Sequence, residues 1–252
     1  MPDLQTVPET STEAPARHPA LLVLHDWHGI DEFTNLACAR LSQAGFVTYA
    51  PDLFRRSTPP ENADDAALAD WAQSLSDSQN VAIILAALDE LAVRPDVDAT
   101  RLGIVGWGWS GAYALMAAAH DSRVRAACDI GGEISYPVTS ARRPGSPLNF
   151  VANLNGALFA AFAGGDSSFP ANEIDRLRTR LIEHDKIGEV KNYDAPPRFW
   201  RDDQLPQTAA LWLRMTHFLA LHLAPPESIE PPTSDELKPE AGQANEESRL
   251  HA

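Results

Sequence analysis

Between residues 19 and 224 the chain alternates short, nearly unbroken apolar runs with longer stretches whose apolar positions recur every three or four residues. The first pattern suits a strand buried on both faces of a parallel sheet, the second an amphipathic helix that covers it. The apolar runs predict strands at 20–25 (ALLVLH), 46–50 (FVTYA), 101–106 (RLGIVG), 124–129 (VRAACD), 157–163 (ALFAAFA) and 188–193 (GEVKNY). Helices are predicted over 32–44, 78–92, 111–120, 171–184 and 207–223. Asp31 and Asp77 stand where the first two helices need N-caps, Gly45 where the first must end, and Pro95 just beyond the second. This alternation predicts an α/β fold, a doubly wound and mainly parallel sheet with helices on both faces. Such sheets bind ligands beyond the carboxyl ends of their strands, which points to the loops 26–31, 107–111, 131–137, 164–170 and 194–203.

The flanks differ in composition. Residues 1–18 contain Pro2, Pro8 and Pro15 with three acids against Arg17, and residues 225–252 contain five prolines with seven acids against Lys238 and Arg249. Neither end can bury enough apolar surface to offset chain ordering, so two disordered tails are expected around one domain at 19–224. Those tails hold nearly half of the formal charge of −15. An acidic surface makes nucleic acid and anionic membranes poor partners, and a small-molecule substrate is expected of a monomer or homodimer. No apolar run approaches the ~18 residues that span a bilayer, and the first twenty residues lack both the basic start and the apolar core of a signal peptide. Cys38 and Cys128 each sit in an apolar segment, which suggests structural roles and a reducing, cytoplasmic setting.

The loops carry a family resemblance. The run LLVLHDWHGIDEFTNLACARLSQAGFVTYAPDLF resembles the opening of dienelactone hydrolases, whose first strand ends in His-Glu before an aromatic residue and glycine, and whose next ends in Ala-Pro-Asp-Leu. RPDVDATRLGIVGWGWSGAYALMAAA is similar to that family's strand, nucleophile elbow and helix, and SPLNFVANLNGALFAAFAGGDSSFPANEIDRLRTRL to the strand that delivers the triad acid. The resemblance implies the α/β-hydrolase fold and a triad of cysteine or serine, aspartate and histidine, with no cofactor.

Here the chain departs from the pattern. Laid without gaps on the family's Gly-x-Cys-x-Gly-Gly, the segment Gly106-Trp107-Gly108-Trp109-Ser110-Gly111 puts Gly108 at the nucleophile. Glycine has no attacking atom, although it relieves the strained backbone of an elbow. Asp166, in GGDSSFP, stands where the resemblance puts the triad acid. The histidine position falls on Pro197 if Phe199 is the anchor and on Arg198 if counted from Tyr193; neither is an imidazole. The Phe199 anchor also aligns Arg201 with an arginine that some members use on a substrate carboxylate. Triad residues act as a unit, so the family's mechanism cannot run here as it does elsewhere.

Candidate chemistry then falls on the first loop. The resemblance places Asp26 near the nucleophile position and gives the oxyanion hole one backbone N–H from this loop and one from Trp109, so an anion site is expected to outlast the nucleophile. Asp26, His28 and Asp166 are the candidates for acid–base work; His25, Trp27, Gly108, Trp109 and Arg201 are expected to line the substrate. His25 also has a structural reading, and His28 that of a solvent-facing loop residue. His25-Asp26-His28 lacks a recognised metal-ligand spacing, so no metal site is expected. Ser110 offers a displaced nucleophile if the elbow slides by two residues, with His25 or His28 as base. Trp200 and Phe169 are candidates for an aromatic wall, and Trp107 and Trp212 for the core. Three readings stay open: non-covalent acid–base chemistry on a lactone, ester or unsaturated acid; an ester or lactone hydrolase centred on Ser110; and a catalytically silent binding protein.

Overall fold

A computed structural model describes residues 16–54, 57, 59–166 and 171–225. Most of both predicted tails, and Phe169, lie outside the described residues. Six strands, β1 (His18–Leu24), β2 (Val47–Tyr49), β3 (Val97–Trp107), β4 (Val124–Ile130), β5 (Ala157–Ala163) and β6 (Gly188–Tyr193), form one sheet. Every pairing is parallel, in the order β2-β1-β3-β4-β5-β6.

The helices are α1 (Glu32–Gln43), α2 (Asp65–Gln73), α3 (Asp77–Ala92), α4 (Gly111–His120), α5 (Ala171–Glu183) and α6 (Pro206–His222). Alternate strand residues feed two cores. Ala20, Leu22 and Leu24 of β1 pack with Leu88 and Leu91 of α3, Leu115 of α4 and Leu177 of α5. Leu21 and Val23 pack instead with Ala37 and Leu41 of α1 and Leu211 and Met215 of α6. A strand whose two faces are both covered must be apolar at every position, which is why these runs read as unbroken. No helix among the described residues is long and apolar enough to cross a membrane.

Asp31 caps α1 as expected, its Oδ1 accepting from the Thr34 N–H at 2.9 Å, and Gly45 follows the helix end with φ +95°. Asp77 does not cap α3. Ser76 occupies the N-cap, and Asp77 is turned inward, where its Oδ1 accepts from the hydroxyls of Tyr113 and Tyr136 at 3.0 and 3.2 Å. Helix α2 is an addition to the sequence expectation; Asp64 caps it by accepting from the Ala67 N–H at 2.9 Å.

The register decides what meets at the functional edge. Leu24 of β1 pairs with Gly106 of β3. Continuing both strands by two residues brings Asp26 beside Gly108, although 82 positions separate them in the chain.

Candidate active site

The turn after β3 is tight and carries a glycine at its centre. Gly108 has φ +56°, the left-handed conformation that glycine enters freely, and Trp109, Ser110 and α4 follow directly. A Cβ built on Gly108 would lie 2.5 Å from Cγ of Asp26 and 2.5 and 2.6 Å from its two carboxylate oxygens. The Asp26 carboxylate therefore fills the space in which an elbow side chain would begin.

Asp26 also uses the donors of the expected oxyanion hole. Its Oδ1 accepts from the Trp27 N–H at 2.8 Å and from the Trp109 N–H at 3.1 Å. These are the two loops named from the sequence, but the anion they hold belongs to the protein. The expectation of an anion site that outlasts the nucleophile is corrected accordingly: the site persists, and Asp26 occupies it. Burial pushes the Asp26 pKa up; the Trp27 N–H, the Arg198 charge and the Trp109 N–H act against that rise.

Arg198 is the residue that reaches Asp26 from the loop after β6. Its Nε lies 3.9 Å from Asp26 Oδ2, within ion-pair range and beyond hydrogen-bond range. The backbone of Arg198 has φ +58°, an uncommon conformation for a residue with a Cβ. Outward, its guanidinium pairs with Asp65 of α2, donates to His28 Nδ1 at 3.3 Å, and lies over the Trp27 ring at 5.1 Å. His28 Nε2 meets Asp65 Oδ1 at 3.0 Å. The hydrogen bonds from His28 and Arg198 hold Asp65 below the usual carboxylate range.

The other candidates divide. His25 is fully buried; its Nδ1 meets the Asp26 backbone carbonyl at 2.8 Å and its Nε2 accepts from the Leu53 N–H at 2.9 Å. Both ring nitrogens are spent on backbone and burial lowers its pKa, so it braces the loop and the expectation that it lines the substrate is corrected. Ser110 is also fully buried. Its Oγ accepts from the Trp107 N–H at 3.1 Å and lies 3.0 and 3.1 Å from the carbonyls of Leu24 and Trp107, to which it donates. That hydroxyl ties the elbow to β1 and faces no cleft. The slide of the elbow by two residues does not occur: β3 does run through Trp107, but the left-handed residue is Gly108 and α4 begins at Gly111.

Arg201 is occupied, its Nη2 donating to Asp31 Oδ2 at 2.8 Å while it lies over Phe33. Asp166 follows β5 at the functional edge, its N–H donating to the Ala163 carbonyl at 3.1 Å. Trp109 packs between Phe54 and Tyr113, and Trp200 covers Gly131, where a Cβ would meet its ring at 2.3 Å. Trp107 lies in the core against Phe33 and Trp212, as expected. Among the described residues no group of three or more His, Cys, Asp or Glu is placed to hold a metal ion.

Two polar features of this region were not predicted. From the sequence Arg198 is only a candidate for the place of histidine, and nothing there shows that it faces Asp26. Asp129, at the end of β4, is fully buried with Oδ1 accepting from the Gly132 N–H at 2.7 Å, and burial pushes its pKa up to about 7.

A parallel sheet of this order, with a tight left-handed turn between its long central strand and the next helix, defines an α/β-hydrolase fold. The chain belongs to the dienelactone hydrolase family, whose model matches residues 4–223. A Salmonella typhi protein provisionally named carboxymethylenebutenolidase is 28% identical over 212 residues, covering 80% of this chain and 77% of the relative. A Bradyrhizobium protein provisionally named 2-oxo-3-(5-oxofuran-2-ylidene)propanoate lactonase is 26% identical over 212 residues, covering 82% and 85%. Among solved structures, a provisionally named dienelactone hydrolase of Klebsiella pneumoniae is similar with a TM-score of 0.75 and 26% identity, covering 83% of this chain and 89% of that one.

Proposed function

We propose that this protein is an enzyme of small-molecule metabolism that acts on lactones, esters or unsaturated acids through acid–base chemistry centred on Asp26, with no acyl-enzyme. One observation carries the reading: the Asp26 carboxylate occupies the place of the missing nucleophile, with one oxygen anchored by two N–H groups and the other buried without a hydrogen-bond partner among the described residues. Burial raises the pKa of this carboxylate, which makes it a stronger base than an ordinary aspartate. His28 and Asp166 are the further proton-handling groups of this reading, and Trp27, Gly108 and Trp109 form the adjoining wall. The provisional names of the relatives, a carboxymethylenebutenolidase, a lactonase and a dienelactone hydrolase, support the substrate class.

The reading is tested by incubating the purified protein with a panel of lactones, esters and unsaturated acids and following turnover by mass spectrometry. Turnover is expected to survive Ser110→Ala, in proportion to the folded fraction, and to disappear in Asp26→Asn. Stoichiometric labelling of Ser110 by a fluorophosphonate overturns the reading in favour of a displaced serine hydrolase. Binding of the panel with no turnover overturns it in favour of a silent binding protein.

A further inference from the structure

The two oxygens of Asp26 are in different circumstances. Oδ1 takes one N–H from the loop after β1, that of Trp27, and one from the elbow, that of Trp109, so neither donor is left for an oxygen of a bound molecule. Oδ2 is buried and has no hydrogen-bond partner among the described residues. The group opposite it, 3.9 Å away, is Nε of Arg198, which is likewise buried and without a hydrogen-bond partner there. Buried polar atoms are normally satisfied, and an unsatisfied donor and acceptor facing each other call for an explanation.

We propose that Asp26 and Arg198 catalyse a proton transfer at carbon, moving a double bond within an unsaturated lactone or acid. Asp26 Oδ2 takes a proton from a carbon conjugated with the carbonyl, and the Arg198 guanidinium holds the carbonyl oxygen onto which the electron pair is delocalised. This rests on the reading of Asp26 as the acid–base group and adds the reaction to it. In a five-membered unsaturated lactone the C–H bond breaks, an O–H bond forms at Oδ2, and the pair spreads through the ring to give a furan-type oxyanion. Asp26 then returns its proton to the other end of the conjugated system. One double bond has moved, the ring is intact, and no oxidant, reductant or water is consumed.

Three features fit this reaction better than acyl transfer. Nothing attacks the carbonyl carbon, so no tetrahedral oxyanion needs the hole that Oδ1 fills. The negative charge moves from Asp26 to the substrate oxygen and back, with one cation beside both positions, so little charge has to be solvated anew in a dry site. Finally, arginine stands at one of the two positions, Pro197 and Arg198, on which the family resemblance lets the histidine fall. An arginine stays protonated, so it neither receives the proton nor competes with Asp26 for it, and acts only on the developing charge. The Asp26 side chain is fully covered, whereas that of Arg198 is 23% exposed and anchored outward on the exposed Asp65, so a substrate reaches Oδ2 only by displacing part of the Arg198 side chain.

The test uses the full chain with α-angelica lactone, a β,γ-unsaturated five-membered lactone, in deuterated buffer followed by proton NMR. The expected result is exchange of the ring protons and appearance of the α,β-unsaturated isomer above the buffer-only rate. Asp26→Asn is expected to lower that rate by about 10²–10⁴-fold. Arg198→Met is expected to lower it by about 10²-fold, with Arg198→Lys retaining an intermediate rate because the charge survives. Circular dichroism and thermal melting of each variant separate loss of chemistry from loss of fold. An exchange rate equal to buffer, or one that persists in folded Asp26→Asn, overturns the proposal. Asp26-dependent ring opening without exchange also overturns it while leaving the broader acid–base reading intact; absence of any turnover of the wider panel removes both.

Discussion

Restoring a nucleophile to the elbow should fail, for a reason that can be measured. Gly108→Ser places Cβ about 2.5 Å from three atoms of the Asp26 carboxylate, roughly an ångström inside ordinary contact. Overpacking of this kind costs about 1–3 kcal/mol. The left-handed backbone at φ +56° adds about 1–2 kcal/mol for a residue with a Cβ. A carboxylate pushed off the Trp27 and Trp109 N–H groups also loses charge-assisted hydrogen bonds worth about 1.5–3 kcal/mol. Together these come to about 3.5–8 kcal/mol, which in a domain of this size lowers Tm by about 7–32 °C. Asp26→Ala removes the obstacle, so the double variant should recover about 2 kcal/mol relative to the sum of the two single changes. Urea unfolding of wild type, both single variants and the double variant gives this coupling directly. If the double variant equals that sum within about 0.5 kcal/mol, Asp26 does not occupy the nucleophile's space and the description of the site is wrong. None of the three variants should show an acyl-enzyme burst with p-nitrophenyl acetate, because Arg198 cannot act as the base that a serine needs.

Asp129 should make stability depend on pH. Its pKa is raised from 3.8 unfolded to about 7 folded, so the folded state binds the extra proton and stability falls as pH rises from about 4 to 7. Three units correspond to at most about 4 kcal/mol, so the stability of Asp129→Asn relative to wild type should rise between pH 4 and 8 in chemical denaturation; a parallel pair of curves refutes the buried-acid description. Asp77→Ala strands the hydroxyls of Tyr113 and Tyr136 and leaves Arg143 without the carboxylate 3.9 Å from its Nε. It should cost about 3 kcal/mol by urea unfolding, and a loss below about 1 kcal/mol refutes a structural role for the cluster.

The sequence discloses the scaffold because its information is periodic. β5 and β6 match their predicted bounds, and the other strands shift by a few residues at most except β3, which starts four residues early at Val97. A run such as ALFAAFA has only one comfortable place, between two covered faces. Helix α2 escaped because its apolar residues are mostly alanines and its cap, Asp64, lies in an acidic stretch that reads as a loop. Asp77 was misread because its pattern suits a cap equally well, and only the arrival of Tyr113 and Tyr136 from distant segments shows why it turns inward. Contacts between residues far apart in the chain leave no periodic trace.

The same limit explains what changed at the elbow. From the sequence, Gly108 is a subtraction: the attacking atom is missing and the backbone around it is otherwise preserved. The pairing of Leu24 with Gly106 turns that subtraction into half of an exchange, since Asp26 projects into the space that Gly108 leaves and takes both N–H groups that a reaction intermediate would have used. A side chain at residue 108 and a carboxylate at residue 26 cannot coexist in this geometry. A site that had only lost its nucleophile would keep an open anion hole; this one has filled the hole with a buried acid and set the Arg198 cation 3.9 Å from its second oxygen, which accepts no hydrogen bond among the described residues. In the reaction we propose, the same atoms take other parts: Asp26 is the base and Arg198 the cation beside the developing charge.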